Sequence, residues 1–332
     1  MLKFLVFSDL HYKKGMYIAS VDDLRAIFRR AAEAGVDFVI HGGDLCNDYL
    51  GSPELIREFL ENPYGLPVYG VYGNHELESE GNTVDVVTPL LSNREVFFPS
   101  PDVGYWYTDI KEYRIIGLDT NYSFNRETEE WEHNRPASWG PPNGNEAGNS
   151  LSPMQLSWLD GVLHGAEACG KKVLVFSHDG MSGIWRSSPD APAVRELFEK
   201  YRGTVLMSVN GHWHADDFAV RDGVVYMNVN TVRNGYWCVT DEFHYDDSHT
   251  FLFTDYDADG APSDTREISI NSLWQAKNTW FFKDPLSALV TLSDDGTVTV
   301  EGSQSEWMYG IVPPGTEAER HPAIFDRTAK AE

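Results

Sequence analysis

The segment "VLMSVNGHWHADD" (205–217) ends an apolar run at Gly211 and then presents His212 and His214 with one tryptophan between them. Residues i and i+2 of an extended chain lie on the same side, so extended backbone beyond Gly211 would point both imidazoles one way and Trp213 the other. Glycine at this position allows a sharp turn and lets other groups come close. The pattern therefore offers two nitrogen ligands to metal, or else it is an ordinary surface loop that contains two histidines.

Four other apolar runs end in the same way, each followed within a few residues by aspartate, asparagine or histidine. Those residues are Asp9 and His11 in "DLH", Asp44 in "GGD", Asn74 and His75 in "GNHE", and His178 in "SHDG". Binding sites in open α/β sheets form outside the carboxyl ends of the strands, so we expect these side chains to meet at one rim. Any one of these motifs alone is common, but five strand ends with the same ligand chemistry indicate one shared site.

The donor set consists of carboxylate, imidazole and amide groups without a thiolate, which suits Mn, Fe or Zn. Two such ions about 3.5–4 Å apart can lower the pKa of a bridging water and hold both oxygens of a phosphoryl displacement. The three cysteines, Cys46, Cys169 and Cys238, form no CxxC pair. This usage favours a reducing compartment and gives no thiolate zinc site.

The elements that must position these residues alternate along the first third of the chain. The predicted strands there are 2–8, 36–44 and 67–76, and the predicted helices are 21–35 and one near 53–62. Strands that alternate with helices predict βαβ units and a parallel sheet. Further elements are predicted as strands at 112–119, 171–180 and 203–214, helices at 152–170 and 188–201, and a hairpin at 218–229.

The ordered set "DLH", "GD…D", "GNHE", "H" and "GHWH" resembles the calcineurin-like metallophosphoesterase family over about residues 1–230. The resemblance implies an α/β fold, a four-layer sandwich of two mixed β-sheets flanked by helices, with a dinuclear metal centre between the sheet rims. It implies two divalent or trivalent transition-metal ions, with Mn, Fe or Zn as the candidates. The implied ligands are Asp9, His11 and His214 for one metal, Asn74, His178 and His212 for the other, and Asp44 as the bridge.

The resemblance also assigns a role to two residues outside the ligand set. It makes His75 the group that contacts the phosphate and protonates or stabilises the leaving oxygen; the alternative is a structural histidine beside the ligands. The usual motif of the family is G-D-x-x-D. In "GDLCND" the second aspartate, Asp48, stands one residue further along the chain than that motif requires. Asp48 is therefore expected to steady the "GNHE" histidine, or Asn47 takes its place. Asp119, in "GLDTN", ends another strand and is a further candidate for supporting a ligand.

These residues predict a metal-dependent phosphoesterase that hydrolyses a small phosphate ester by attack of a metal-bridging hydroxide. A diester is favoured slightly over a monoester, because "SPMQLSWL" (152–159) resembles purple-acid-phosphatase-like and cyclic-nucleotide-phosphodiesterase-like relatives. The tyrosine ligand of the purple acid enzymes is counted as absent, since Tyr49 has the wrong spacing. One alternative is a non-catalytic scaffold of this fold that binds a protein partner, which the seven filled ligand positions argue against. Another is a nuclease, which the net charge of −25 disfavours.

The rest of the sequence sets expectations about organisation and location. We predict a catalytic domain over 1–260 and a β-rich C-terminal extension over 261–332 packed on it, with the long loop 123–149 near the pocket. The acidic surface disfavours nucleic acid and anionic membranes as partners. The apolar N-terminal run is too short for a secretory signal, and no run is long enough to span a bilayer, so we expect a cytoplasmic protein.

Overall fold

A computed structural model of the chain describes most of its residues. They are 1–12, 14, 19–46, 52–78, 87–133, 149–183, 187–233, 236–237, 246, 248–257, 261–272, 279–310, 312 and 321–331. No helix within these ranges is long and apolar enough to cross a membrane.

The strands and helices follow the chain in this order. The strands are β1 (Leu2–Phe7), β2 (Phe38–His41), β3 (Val68–Gly70), β4 (Trp106–Ile110), β5 (Tyr113–Gly117), β6 (Tyr122–Asn125), β7 (Glu130–His133), β8 (Lys172–Ser177), β9 (Val205–Asn210), β10 (Asp217–Arg221), β11 (Val224–Asn228), β12 (Tyr236–Trp237), β13 (Thr250–Tyr256), β14 (Pro262–Ser269), β15 (Thr279–Trp280), β16 (Ala288–Leu292), β17 (Thr297–Glu301) and β18 (Arg327–Lys330). The α-helices are α1 (Val21–Ala34), α2 (Ser52–Leu60), α3 (Asn74–Glu78), α4 (Pro153–Ala168) and α5 (Ala191–Lys200).

Two six-stranded sheets carry the fold, with strand orders β18-β17-β16-β1-β2-β3 and β10-β11-β9-β8-β5-β4. In the first sheet β1, β2 and β3 are parallel, while β16, β17 and β18 run antiparallel. In the second sheet β5, β8, β9 and β11 are parallel, and the edge strands β4 and β10 are antiparallel. Both sheets are therefore mixed, as the resemblance implied.

The two sheets pack face to face, and helices cover their outer faces. Phe4 of β1 meets Phe176 of β8 edge to face, with ring centroids 5.7 Å apart. Side chains alternate along β8, so Leu174 and Phe176 join the core between the sheets while Val173 and Val175 join the core under α4 and α5. Together with α1 and α2 over the first sheet, this gives the predicted four-layer sandwich and confirms the fold class.

Local sequence signals set several of these elements. Ser20 caps α1 with a capping box to Asp23, and Gly35 ends the helix at φ 62°. Ser152 caps α4, with proline at its first turn. The predicted hairpin at 218–229 is β10 and β11.

Other parts of the chain are organised in ways that the sequence did not predict. The first part of the predicted loop 123–149 is the hairpin of β6 and β7, and residues 134–148 lie outside the described ranges. Strand β16 pairs with β1 along its whole length, so the C-terminal strands extend the sheet that begins the chain. A further hairpin, β13 and β14, lies along the chain between β11 and β16 and belongs to neither large sheet.

Candidate metal centre

All seven predicted ligands lie in the described part of the chain, just beyond the carboxyl ends of central strands. Asp9 and His11 follow β1, Asp44 follows β2, Asn74 begins the helix after β3, His178 follows β8, and His212 and His214 follow β9. These strands occupy the middle of the two facing sheets. Their ends meet in the gap between the sheet rims, which is where sites form in such folds.

Asp9, His11 and His214 form the first group. His11 Nε2 lies 3.0 Å from His214 Nε2, which in turn lies 3.2 Å from Asp9 Oδ1. Asp9 Oδ2 accepts the N–H of His212 at 3.1 Å, whereas the buried Oδ1 accepts no hydrogen bond from the described residues. One cation could contact all three side chains at once. The arrangement fits an ion held by one carboxylate oxygen and two imidazole nitrogens.

Asp44, His178 and His212 form the second group. His178 Nε2 lies 3.1 Å from Asp44 Oδ2 and 3.0 Å from His212 Nδ1. The other nitrogen of His178, Nδ1, lies 2.7 Å from the carbonyl oxygen of Gly42, so it donates there and leaves Nε2 to face the group. These three side chains also could hold one cation. Asn74, the predicted amide ligand, is the first residue of α3 beside this group.

Asp44 lies between the two groups. Its Oδ2 is 3.8 Å from His11 Nε2 in the first group and 3.1 Å from His178 Nε2 in the second. His75 is close as well, with its Nε2 3.9 Å from the same oxygen and its backbone N–H donating to Asp44 Oδ1 at 2.8 Å. The carboxylate thus occupies the position that a ligand shared by two ions requires.

The charges of the site are strongly coupled. Burial opposes ionisation of Asp44, yet the nearby histidines, His178 first, hold the pKa of its carboxyl well below the usual range. Burial also opposes protonation of His178, but Asp44 outweighs it and holds the pKa of His178 well above its ordinary value. In the metal-free chain an imidazolium therefore supplies the positive charge that this carboxylate needs.

In the first group, the pKa values of both His11 and Asp9 are lowered. Burial, reinforced by His75, lowers the pKa of His11 to about 3, so His11 is neutral at physiological pH with its lone pair available. Burial disfavours the ionised form of Asp9, but His214 overcomes this and lowers the pKa of Asp9 to about 2. Neutral imidazole and ionised carboxylate are the forms that bind metal.

The backbone at this rim adopts a conformation that non-glycine residues seldom take. The residues with left-handed backbone here are Asp9 (φ 57°), His11 (φ 50°), Asp44 (φ 52°), His212 (φ 70°) and His214 (φ 52°). Such conformations carry a local cost and cluster at functional sites, where the surrounding structure enforces them. Here they turn the chain sharply at the end of three different strands.

This geometry corrects the expectation of extended backbone after Gly211. Strand β9 ends at Asn210, and both His212 and His214 have positive φ, so strand alternation does not set their directions. A tight turn instead sends His212 Nδ1 toward His178 and His214 Nε2 toward Asp9. The two histidines reach different groups, as the resemblance implied, but through a turn and not along a strand edge.

Glycines make room for the close packing of this rim. A Cβ on Gly73 would lie 2.1 Å from Asp44 Oδ1, and one on Gly211 would lie 1.9 Å from Ser8 Oγ and 2.6 Å from Asp9 Oδ2. Any side chain at these two positions would displace a ligand carboxylate. The glycines of "GNHE" and "GHWH" are thus explained by the approach of two loops to the carboxylates.

A family model described as calcineurin-like phosphoesterase matches residues 2–216 of this chain. The chain belongs to the calcineurin-like phosphoesterase family. The match spans every residue of both groups, so these candidate metal-binding residues lie within the part of the chain that defines the family.

Solved structures resemble this phosphoesterase in fold. A dimetal phosphatase from Danio rerio is 15% identical with a TM-score of 0.58, and the alignment covers 100% of this chain and 99% of that one. A purple acid phosphatase from yellow lupin (Lupinus luteus) seeds is 13% identical with a TM-score of 0.49, covering 97% of this chain and 53% of the other. A comparison with curated protein sequences found no match.

Glu76 is a buried residue beside the two groups that sequence reasoning missed. Its buried carboxylate accepts the backbone N–H groups of Gly73 at 2.6 Å, Asp44 at 2.9 Å, Cys46 at 3.4 Å and Leu45. Burial, and then the charge of Asp44, raise the pKa of Glu76 to about 7. The side chain joins the loop after β2 to the loop after β3. The sequence does contain a signal for it, because Glu76 is the last residue of the "GNHE" motif.

Two supporting residues named from the sequence have different outcomes. Asp48 lies outside the described residues, so its predicted role beside the "GNHE" histidine stays a prediction. Asp119 is buried and accepts the N–H of Asn121 at 3.0 Å, which makes it the cap of its own turn. Its neighbour Thr120 donates a hydrogen bond to Asp179, the residue after His178.

Proposed function

We propose that this phosphoesterase hydrolyses a small phosphate ester, a diester in slight preference to a monoester, with two transition-metal ions at the rim. The observation that carries the proposal is the position of Asp44 Oδ2, 3.8 Å from His11 Nε2 and 3.1 Å from His178 Nε2. One carboxylate between two ligand groups is what a pair of ions requires, and two ions suit phosphoryl displacement.

The proposed ligand sets follow the two groups. Asp9, His11 and His214 hold one ion, Asn74, His178 and His212 hold the other, and Asp44 contacts both. Mn, Fe or Zn fits this mixture of carboxylate, imidazole and amide donors. When bound, the two ions would supply an activated water and Lewis-acid polarisation of the phosphoryl group.

His75 is proposed to act on the substrate and not as a ligand. Its side chain is 12% exposed, as is that of His212, whereas the side chains of His11 and His178 are each 1% exposed, so His75 and His212 lie nearer the opening of the site. Two contacts fix its position. Its ring packs against that of His11 in a T-shaped contact with centroids 4.7 Å apart, and its backbone N–H donates to Asp44. From there it could donate a proton to the departing oxygen.

The charge of the site supports a diester as the preferred substrate. The ion pairs of Asp9 and Asp44 within the described ranges are with histidines, and none is with lysine or arginine. A diester carries one negative charge at neutral pH, whereas a monoester dianion carries two. Among the described residues, carboxylates that pair with histidines and not with a guanidinium or ammonium group suit the smaller charge.

The test is reconstitution of the metal-free protein with Mn, Fe, Zn or Mg, followed by assays on bis(p-nitrophenyl) phosphate and p-nitrophenyl phosphate. We expect two ions per chain, hydrolysis of both esters, and a higher kcat/KM on the diester. Two bound ions without hydrolysis of any phosphate ester would instead indicate a metal-binding scaffold. A higher kcat/KM on the monoester would overturn the diester preference alone.

A further inference from the structure

We infer that Asp179 and Thr120 form a positioning pair that orients His212 as a ligand of the second ion. Asp179 directly follows His178, just after β8. Thr120 lies just after β5, which is the strand next to β8 in the sheet. Neither belongs to the motifs that define the family in this sequence. The inference rests on the proposed dimetal site, and its test separates the two.

A hydrogen bond joins Thr120 to Asp179, and Asp179 lies at ion-pair distance from His212. The hydroxyl of Thr120 donates to Asp179 Oδ2 at 2.7 Å, and Asp179 Oδ1 lies 3.6 Å from His212 Nε2. Both Thr120 and Asp179 are buried. The hydroxyl of Ser177 donates to the carbonyl oxygen of Asp179 at 2.7 Å, which fixes the backbone that carries the carboxylate.

The two nitrogens of His212 face opposite partners. Nδ1 lies 3.0 Å from His178 Nε2 within the second group, whereas Nε2 faces the carboxylate of Asp179. A carboxylate behind a metal-binding histidine holds the proton on the far nitrogen, sets the ring direction and raises the basicity of the ligating nitrogen. Asp179 is placed to do this for Nδ1 of His212.

The burial of Asp179 needs a compensating group. A carboxylate removed from water is costly unless hydrogen bonds or opposite charge stabilise it. The Thr120 hydroxyl supplies one hydrogen bond to Oδ2, and the imidazole of His212 faces Oδ1. Such a carboxylate, one residue from a ligand and aimed at another, is better explained by a role at the site than by packing.

The test measures Mn²⁺ binding, with Mn²⁺ alone as the probe, by equilibrium dialysis of the metal-free protein. The variants are Asp179→Ala, Asp179→Asn and Thr120→Val. The control is Asp119→Asn, which alters a buried carboxylate that caps a turn. We expect Asp179→Ala to weaken one of two binding steps by about 10–100-fold and to leave the other unchanged. Thr120→Val should weaken the same step less, and Asp119→Asn should weaken neither selectively.

The outcomes separate this inference from the proposed function. Fewer than two Mn²⁺ ions on the wild type would overturn the dimetal proposal. Two ions on the wild type and unchanged steps in Asp179→Ala would overturn the positioning role, as would an equal loss at both steps together with a lower Tm. If Asp179→Ala does not fold, Asp179→Asn keeps the shape of the side chain and decides the question by the same selective loss.

Discussion

Asp44 Oδ2 lies 3.1 Å from His178 Nε2, and both side chains are almost completely buried. The same oxygen lies 3.8 Å from His11 Nε2 on the other side. A carboxylate buried at this depth is costly unless hydrogen bonds or opposite charge stabilise it. In the metal-free chain the imidazolium of His178 provides that charge, and we propose that two cations provide it in the active protein.

The first prediction concerns the shared carboxylate. Asp44→Asn removes a negative charge that two ions would share, so we expect it to lower metal occupancy in both groups. His11→Ala should deplete mainly the group that contains Asp9. The measurements are metal content and kcat for both variants. We expect kcat of Asp44→Asn to fall by at least about 10²-fold, and further than that of His11→Ala. Two fully occupied ions in Asp44→Asn would contradict the bridging assignment.

Much of the site could be predicted because each ligand motif ends a buried strand. Apolar runs identified β1, β2, β8 and β9, and the rule that sites form at the carboxyl ends of strands placed their polar residues together. Helix ends were also readable, since Ser20 and Gly35 are strong capping signals. These signals depend only on residues that are close together in the chain, so they can be recognised in a single sequence.

The rest depended on contacts between distant segments. The "GHWH" motif does not predict that His212 and His214 adopt left-handed backbone. The carboxylates and glycines that crowd this turn lie elsewhere in the chain. The bonds from Glu76 to the loop after β2 are likewise visible only in three dimensions. The pairing of β16 with β1 joins residues near opposite ends of the chain, and no local pattern encodes it.

A second prediction concerns Glu76. Glu76→Gln places an amide NH₂ group where the carboxylate accepts several backbone N–H groups, so at least one buried donor loses its partner. We expect a loss of about 2–3 kcal/mol in the free energy of unfolding of the metal-free protein. Metal affinity should fall as well, because Asp44 and the loop after β3 lose their common anchor. Urea unfolding and Mn²⁺ titration check this, with the exposed Glu33→Gln as the control. Wild-type values in both assays would contradict the anchoring role.

The C-terminal strands yield a third prediction. Arg327 of β18 lies 2.8 Å from buried Asp216, two residues after His214. Arg327→Ala leaves that carboxylate without its charged partner, so we expect a loss of about 1–3 kcal/mol in stability and weaker binding of the ion held by His214. Lys330→Ala, on the same strand and exposed, is the matched control. Equal metal affinity in both variants would show that β18 does not support the site.

Deleting the chain after residue 262 tests the same relationship more severely. The deletion removes β16 and leaves β1, which leads into Asp9 and His11, with an unpaired edge. We therefore expect the truncated protein to lose metal binding together with its folded state. A folded truncation with two bound ions would show that the first 262 residues build the site unaided.

A fourth prediction follows from His41, a strand residue in the core. Burial lowers the pKa of His41 from 6.5 to about 4, so the folded state resists a proton that the unfolded state binds readily. The metal-free protein should therefore lose stability as pH falls from about 6.5 toward 4, with His41 contributing about 1.4 kcal/mol per pH unit. His41→Gln removes this titration and should flatten the dependence by that amount, as measured by urea unfolding across this range. An identical pH slope in both proteins would refute the contribution.

The last prediction concerns His75 and separates catalysis from metal binding. An alkoxide leaving group has a high pKa and needs a proton, whereas p-nitrophenolate departs without much help. His75→Asn should therefore lower kcat about 10²–10⁴-fold on an alkyl phosphate ester and clearly less on a p-nitrophenyl ester. Metal content should stay near that of the wild type, because Asn74 and not His75 is the proposed ligand. Equal losses on both esters would assign His75 to positioning the phosphate, and loss of an ion would make it a ligand, as its 3.9 Å approach to Asp44 Oδ2 allows.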